Sequence, residues 1–370
     1  MTKVLLGDIC RYISSKISVD RVQLVDYVST ENLLQNKGGL SIAGKLPSGK
    51  VTTFQAGDVL VSNIRPYFKK IWLADRSGGA SNDVLVFRKL NDEIYEKYLY
   101  YILADDRFFA FSTASASGSK MPRGDKTQIM NYPVNLPPLD QQKKIANILG
   151  SLDEKIELNR RMNETLEQLG QALFRHYFID NPEAKSWDKK PLDEIANFLN
   201  GLAMQKYPKI NGQPTLPVIK IREMSSGITD STDIASANIP EEYIVRDGDL
   251  LFSWSGTLMV KFWSGGDGAL NQHLFKVTSD KYPEWLYYYW AKYHLDHFIS
   301  IAKSKATTMG HIQRKHLKQA EGIIPPNVEE VTSEFMPIID QIKTNLFETN
   351  CLVNIRDSLL PKLISGEIEV

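Results

Sequence analysis

Two stretches in each half of the chain combine basic, hydroxylic and aromatic side chains. In the first half they comprise Asn63, Arg65, Tyr67, Lys69 and Lys70, and then Ser117, Ser119, Lys120, Arg123 and Lys126. In the second half they comprise Trp254, Ser255 and Thr257, and then Lys303, Lys305, Thr307, Thr308, His311 and Arg314. Such side chains can contact the phosphates and base edges of a nucleic acid. Any single one could equally be a solvated surface residue, as could the more isolated Lys16 and Arg21. The hypothesis rests on the same two positions recurring in both halves.

An internal repeat indicates that these stretches occupy equivalent positions in the two halves of the chain. The run Ala56-Gly-Asp-Val-Leu-Val-Ser62 returns as Asp247-Gly-Asp-Leu-Leu-Phe-Ser253, and each run indicates a Gly-Asp turn that leads into a buried strand. Further anchors recur in the same order, namely 6–9 with 192–195, 82–87 with 271–277, 98–101 with 286–289, and 120–126 with 308–314. The aromatic runs at 98–101 and 286–289 each indicate a short helix. The pattern predicts a mixed α+β domain of roughly 135–140 residues followed by a long helix, with this unit occurring twice.

Each domain is followed by a predicted long amphipathic helix that begins after a double proline, Pro137-Pro138 or Pro325-Pro326. Pro337 lies inside the second run, so we expect a kink in its first turn or a helix start at that residue. The first apolar stripe contains Ile145, Ile148, Leu149, Leu152, Ile156, Met162, Leu166, Leu169 and Leu173. The second contains Phe335, Ile338, Ile339, Ile342, Leu346, Leu352, Val353, Leu359, Leu360 and Leu363.

A helix of about 38 residues is a rod of roughly 57 Å, which needs a second long helix to cover its stripe. In one chain, antiparallel pairing would place one domain at each end of the rod. Asn159 falls on the predicted seam with Ile145 and Leu152, where a polar residue would fix the register, or it rotates to solvent. Glu157 and Arg161 are spaced for an ion pair on one helix face.

Composition sets limits on the class of protein. The 370 residues favour two globular domains, and 42% hydrophobic with 24% charged residues is ordinary for a folded protein. Two cysteines, Cys10 and Cys351, exclude a disulfide framework or a cysteine zinc site and favour the cytoplasm. The sequence MTKVLLGDIC does not resemble a signal peptide, and no apolar run of 18 residues exists.

The net charge of zero is unevenly distributed. Residues 1–138 contain 18 basic and 13 acidic residues, whereas residues 323–370 contain 3 basic and 8 acidic ones. The first domain is therefore basic and the last helix acidic. This asymmetry is compatible with nucleic-acid binding and equally with an ordinary solvated surface.

Other chemistry is poorly supported by the sequence. His294 and His297 could bind a metal but lie in an aromatic amphipathic run, which favours a packing or surface role. The segment Asn135-Leu-Pro-Pro138 only superficially matches the Asn-Pro-Pro-aromatic motif of amino-methyltransferases. The sequence has neither a Gly-rich cofactor loop before a helix nor a phosphate-binding P-loop. We expect a non-catalytic chain with no metal site.

Two similar domains at a fixed separation suit a ligand with two similar sites at a fixed separation, and duplex DNA is such a ligand. A rod of roughly 57 Å corresponds to at most about 17 base-pair steps.

The chain resembles the specificity (S) subunit of type I restriction–modification enzymes. The resemblance is carried by LPPLDQQKKIANILGSLDEKIELNRRMNETLEQLGQALFRHYF, GDLLFSWSGT, GALNQHLFKV and the ending LLPKLISGEIEV. It covers both halves and both helices, and the central helix is its most specific part. The second domain is the better match, since the first resembles the family mainly through AGDVLVS and SGSKMPRG.

The resemblance implies an α+β protein with two similar target recognition domains joined by two long helices that form an antiparallel coiled coil. Each domain would recognise half of a bipartite, asymmetric DNA target, and the coiled coil would act as a spacer. Modification (methyltransferase) subunits, two by expectation, and restriction (translocase–nuclease) subunits would be its partners. The chain itself would bind no cofactor, while these partners would use S-adenosylmethionine, ATP and Mg2+.

The expected boundaries are residues 1–136 and 181–324 for the two target recognition domains, and residues 137–180 and 325–370 for the two helices. The sequence leaves two alternatives open. One is a non-catalytic two-headed adaptor whose coiled coil organises other proteins and whose heads bind peptide or nothing. The other is a specificity subunit that supports modification only.

Overall fold

The structure is a computed structural model that describes residues 2–304 and 310–370. The chain forms two compact units, each containing parts of two long helices. Unit 1 comprises Met1–Glu154 and Leu352–Val370, and unit 2 comprises Lys155–Cys351. The boundaries expected from the sequence, which separate domains from helices, are a different division of the chain and stay predictions.

The described part of unit 1 contains ten strands and four α-helices of its own. The strands are β1 (Thr2–Leu5), β2 (Cys10–Tyr12), β3 (Lys16–Ser18), β4 (Tyr27–Val28), β5 (Lys50–Phe54), β6 (Val59–Ser62), β7 (Ile71–Leu73), β8 (Gly78–Ala80), β9 (Val84–Lys89) and β10 (Pro133–Leu136). The helices are α1 (Leu6–Ile9), α2 (Glu96–Ala104), α3 (Asp106–Ala114) and α4 (Lys126–Met130). The first long helix, α5 (Leu139–Phe174), begins directly after Pro137-Pro138.

Unit 2, over its described residues, likewise contains ten strands and four α-helices of its own. The strands are β11 (Asp188–Pro191), β12 (Asn197–Asn200), β13 (Thr215–Ile219), β14 (Ile234–Ser236), β15 (Ile244–Val245), β16 (Leu250–Ser253), β17 (Met259–Phe262), β18 (Gly268–Leu270), β19 (Leu274–Thr278) and β20 (Glu321–Ile324). The helices are α6 (Leu192–Ile195), α7 (Ile221–Ser226), α8 (Glu284–Ser304) and α9 (Arg314–Gln319). The second long helix, α10 (Val328–Ser365), follows.

The two units share the same strand topology except for one edge strand. A four-stranded antiparallel sheet has the order β2-β9-β6-β7 in unit 1 and β12-β19-β16-β17 in unit 2. A ribbon pairs β1 with β10 and β11 with β20. In the second sheet β4 runs parallel to β8, as β13 does to β18. The edge strand differs, since β3 extends this sheet beyond β5 whereas β14 extends it beyond β13. The predicted internal repeat is therefore confirmed as a shared framework.

The Gly-Asp turn of the repeat is a structural device in both units. Buried Asp58 accepts a backbone hydrogen bond from Gln55 at 2.8 Å and two from the Arg88 guanidinium at 2.7 and 2.8 Å. In unit 2 Asp249 accepts a hydrogen bond from the Arg246 backbone N–H at 2.8 Å and forms an ion pair with Lys276 of β19 at 2.8 Å. A carboxylate that is wholly or partly removed from water needs such partners, which explains why the Asp recurs.

Each unit buries its own part of the two long helices, and within each part the helices run antiparallel. In unit 1, Ile145 and Leu149 of α5 share a core with Leu360 and Leu363 of α10. Asp153 accepts a hydrogen bond from Arg356 at 2.8 Å. In unit 2 the core is aromatic, and Phe174 of α5 joins residues of α8 and α10 in it.

Asn159 lies in the seam between α5 and α10 of unit 2 and is fully buried, so it does not rotate to solvent. Its amide donates to Glu348 at 2.8 Å. Asn163 lies one turn further along α5, and its side-chain oxygen accepts a hydrogen bond from Asn345 at 2.8 Å. Because these partners meet in only one register, they specify how the two helices align. The predicted Glu157–Arg161 ion pair is confirmed at 2.7 Å.

Three expectations about the helical runs need correction. Ile148 and Leu169 of the predicted stripe are 38% and 52% exposed, because a helix pair covers a narrower seam than the full apolar run. Pro337 does not start α10, which begins nine residues earlier at Val328. Burial of Phe335 and Ile339 outweighs the unfavourable helix propensity of Pro337. The aromatic run at 286–289 lies in α8, a 21-residue helix rather than a short one.

The two glycines of α5 provide a matched prediction. A Cβ at Gly170 would overlap the hydroxyl of buried Tyr289. A Cβ at Gly150 would instead lie in ordinary contact with the Tyr101 hydroxyl, at 3.8 Å. We expect Gly170→Ala to destabilise unit 2 by about 2 kcal/mol, and Gly150→Ala to leave unit 1 as stable or more stable by up to about 1 kcal/mol. Thermal unfolding monitored by hydrogen exchange in each unit measures both effects. Equal effects of the two substitutions would contradict this account of the packing.

Candidate nucleic-acid interface

In unit 1 the two predicted contact stretches lie side by side at the end of strand β6. The backbone N–H of Arg65 donates to the Pro122 carbonyl at 2.8 Å, and Gly124 N–H donates to the Asn63 carbonyl at 3.3 Å. Ser117 and Arg123 exchange two backbone hydrogen bonds of 3.0 Å, which close the second stretch into a loop. The strand end and the loop therefore form one continuous surface.

Unit 2 builds the same junction after strand β16. Gly256 N–H donates to the Gly310 carbonyl at 2.9 Å, and Ile312 N–H donates to the Trp254 carbonyl at 3.0 Å. Ser255 pairs with His311 as Ile64 pairs with Arg123 in unit 1. Lys305, Thr307 and Thr308 of the predicted loop lie outside the described residues.

The candidate side chains of unit 1 fall into two groups. Asn63 is buried, Lys69 pairs with Asp106 at 2.7 Å, and Lys70 donates to the Thr30 carbonyl at 2.6 Å. Burial lowers the pKa of Lys70 from its ordinary value. Half-buried Arg65 belongs to the same fixed group. The exposed group comprises Tyr67, Ser117, Ser119, Lys120, Arg123 and Lys126.

Unit 2 presents a more aromatic surface. Half-buried Trp254 donates its indole N–H to Asn200 at 2.9 Å, and its ring centroid lies 5.6 Å from that of His273. Ser255 is buried, with its hydroxyl 3.1 Å from Nδ1 of His273. The Arg314 guanidinium donates to the Phe198 carbonyl at 3.3 Å. The exposed candidates here are Thr257, Lys303, His311 and Arg314.

Two matched residues that support these surfaces were not among the sequence candidates. Asp83 immediately precedes β9 and accepts a hydrogen bond from Arg123 Nε at 3.1 Å. His273 immediately precedes β19 and contacts Ser255. Asn63 donates its backbone N–H to the Asp83 carbonyl, and Trp254 donates its backbone N–H to the His273 carbonyl. Asp83 and His273 therefore occupy equivalent positions in the two units. Both residues lie in repeat anchors, so their place beside the strand ends was a usable signal.

Among the minor candidates, Lys16 Nζ contacts Thr52 Oγ1 at 2.9 Å, and Arg21 is exposed. His294 Nε2 lies 2.8 Å from the Glu321 carbonyl in a hydrogen bond that accounts for its position. In the described parts of the chain, no helix is both long and apolar enough to cross a membrane.

Comparison with known proteins identifies the family to which both units belong. The sequence profile of the type I restriction modification DNA specificity domain matches residues 1–168 and again residues 184–356. The chain is 22% identical to the type I restriction enzyme HindI specificity subunit of Haemophilus influenzae, with 98% of each chain covered. It is 24% identical to the MjaIX specificity subunit of Methanocaldococcus jannaschii, over 75% of this chain and 70% of that protein.

A solved structure shows the same fold. It is a type I restriction–modification system S subunit from M. genitalium, with a TM-score of 0.57 and 16% identity over 98% of this chain and 96% of that one. Because the profile matches both halves, the chain belongs to the type I restriction modification DNA specificity domain family and carries the domain twice.

Proposed function

We propose that each unit recognises one half of a bipartite, asymmetric DNA target through the junction of its two contact stretches. The family assignment makes the chain the DNA sequence-recognition subunit of a type I restriction–modification system and not itself an enzyme. The observation that carries the finer proposal is the same strand-end and loop junction in both units, with different side chains on it. A shared frame with different surfaces suits two different half-targets.

The partners and the spacer belong to the same proposal. The chain directs modification (methyltransferase) subunits, two per chain, and restriction (translocase–nuclease) subunits to the target, in the cytoplasm. The helical segments set the number of base pairs between the half-targets. The chain binds no cofactor of its own, and S-adenosylmethionine, ATP and Mg2+ are used by its partners.

Mapping of methylated adenines in the source cell, with and without this gene, tests the function. The proposal expects a bipartite motif that disappears on deletion, and co-purification of the chain with a methyltransferase. If the motif persists and no methyltransferase co-purifies, the chain is instead an adaptor. Methylation without restriction of unmodified DNA would identify a modification-only subunit.

Arg123→Ala and Arg314→Ala provide a binding test, one for each unit. Arg123 is exposed at the junction, and its loss should weaken DNA binding and reduce the salt slope by about one. Arg314 is anchored to the Phe198 carbonyl, and its replacement is expected to weaken specific binding as well. A gel-shift titration of the assembled enzyme at two salt concentrations measures both changes.

Arg11→Ala is the control for this titration. Arg11 is exposed on β2 opposite Arg88, at the far end of β9 from Asp83. Five residues of strand separate the two ends by roughly 17 Å. Unchanged affinity in both the Arg123 and the Arg314 variants would remove these loops from the interface.

A further inference from the structure

Arg65 and Gly256 occupy equivalent positions in the two units. Each is the third residue after its strand, β6 or β16. Each donates its backbone N–H to a carbonyl of the second contact stretch, Arg65 to Pro122 at 2.8 Å and Gly256 to Gly310 at 2.9 Å. The duplication therefore allows a comparison within one chain. At this position unit 1 carries an arginine side chain and unit 2 carries none.

The backbone at this position is left-handed in both units. The φ angle is 50° at Arg65 and 62° at Gly256. Glycine adopts this region without strain, whereas a long side chain is disfavoured there. Unit 2 thus has the residue that the backbone prefers, and unit 1 retains an arginine against that preference. Strained residues of this kind concentrate at functional sites.

The Arg65 side chain is held before any ligand is bound. Its Nη2 donates to the Lys120 carbonyl at 3.3 Å, and its guanidinium carbon lies 5.9 Å from the centre of the Phe68 ring. Among the described residues, its buried Nε has no hydrogen-bond partner. An unpaired buried donor is a second unfavourable feature at this residue. Neither feature serves the stability of unit 1, so both are compatible with a role in binding.

We propose that Arg65 recognises a guanine edge in the half-target bound by unit 1, and that its left-handed backbone aims the guanidinium at that base. This inference rests on the proposed function. Contacts to phosphates carry no sequence information and suit features that both units share. Arg65 is a feature that only unit 1 has, and two units that recognise different half-targets must differ where bases are contacted. A guanidinium held in place is the side chain that most often pairs with guanine O6 and N7.

Arg65→Gly tests the proposal, because it gives unit 1 the residue of unit 2 and relieves the backbone. Adenine methylation is mapped genome-wide in cells that carry the full system with wild-type or variant chain. We expect the variant to accept other bases at one guanine position in one half of the motif, with a loss of discrimination of roughly 5- to 150-fold there. The other half should be unchanged, and the melting temperature of the purified chain should be equal or higher.

Two further variants sharpen the outcome. Arg65→Lys keeps the charge but loses the planar fork, so it should relax the same position. Asn36→Gly, at another left-handed residue with φ 54° whose N–H donates to the Phe68 carbonyl, should leave the motif intact.

Several results would overturn the inference. They are an unchanged motif in Arg65→Gly, full specificity in Arg65→Lys, a uniform loss of methylation without relaxation at one base, and a lower melting temperature of Arg65→Gly. Failure of the wild-type chain to direct any bipartite motif would instead refute the proposed function.

Discussion

Replacement of Asp153 by alanine is expected to lower the free energy of unfolding of unit 1 by about 3–5 kcal/mol. Asp153 accepts a hydrogen bond from Arg356 at 2.8 Å and another from the Tyr101 hydroxyl at 2.7 Å. The Arg356 side chain is only 7% exposed. Burial opposes its charge, yet Asp153 and Asp357 hold its pKa above the ordinary value. Without Asp153, a buried cation loses its main partner.

Glu154→Ala is the matched control for this substitution. Glu154 is the next residue of α5, is 76% exposed and lies 3.7 Å from Lys97. A solvent-exposed pair of this kind contributes at most about 1 kcal/mol. Urea unfolding monitored by hydrogen exchange separates unit 1 from unit 2, whose protection should stay at the wild-type level. If unit 1 unfolds at the same urea concentration in both alanine variants, the Asp153–Arg356 pair does not hold α5 and α10 together there.

The framework of the fold could be predicted from the sequence because it is duplicated. The Gly-Asp turn at Asp58 and Asp249 recurs since the carboxylate accepts a backbone hydrogen bond within the same turn in both units. Apolar periodicity located both long helices, because a buried seam demands it over many turns. Pro337 shows the limit of local rules, since tertiary burial of its neighbours keeps it within α10.

The sequence predicted which loops form the candidate site, but not which of their side chains are exposed on it. Composition cannot tell exposed Lys120 from Lys70, whose ammonium is fixed on the Thr30 carbonyl far away in sequence. It likewise cannot show that Asn63 and Ser255 are buried. The repeat anchors indicate that Asp83 and His273 lie beside the loops, but the contacts that the two side chains make there depend on strand pairing. Such facts arise from long-range contacts that a linear pattern does not contain.

The matched positions show how one frame can carry two different surfaces. The backbone bonds at Arg65 and Gly256 are the same, whereas Asp83 and His273, like Ile64 and Ser255, differ in chemistry. Backbone hydrogen bonds hold the two stretches at a constant distance whatever the side chains are. Sequence preference can therefore change through surface residues without altering the core, which is where the framework obtains its stability.

Gly201→Val is expected to have a large effect on unit 2, with a loss of stability above about 4 kcal/mol. A Cβ at Gly201 would overlap the carbonyl oxygen of Asn271 and lie 2.5 Å from that of Leu270. Both carbonyls are main-chain groups, and neither can rotate away as a side chain could. The Leu270 carbonyl is further fixed by a hydrogen bond of 3.0 Å from Leu202 N–H.

The same clash reaches the proposed DNA surface of unit 2. Asn271 is two residues before His273, whose carbonyl accepts the Trp254 N–H and whose ring contacts Ser255. The variant should therefore lose sequence preference in the half-target of unit 2, while hydrogen-exchange protection of unit 1 is retained. Methylation mapping and hydrogen exchange on the full chain measure the two effects separately.

Gly212→Asn is the control for Gly201→Val, because Gly212 has φ 79° with open space where a Cβ would lie, and asparagine tolerates a left-handed backbone. It should change neither the stability of unit 2 nor the methylation motif. A Gly201→Val chain with a wild-type motif and wild-type protection would mean that the connection between β18 and β19 yields to the new side chain. The contact surface at Trp254 would then not depend on that connection, and the positional role given to His273 would be wrong.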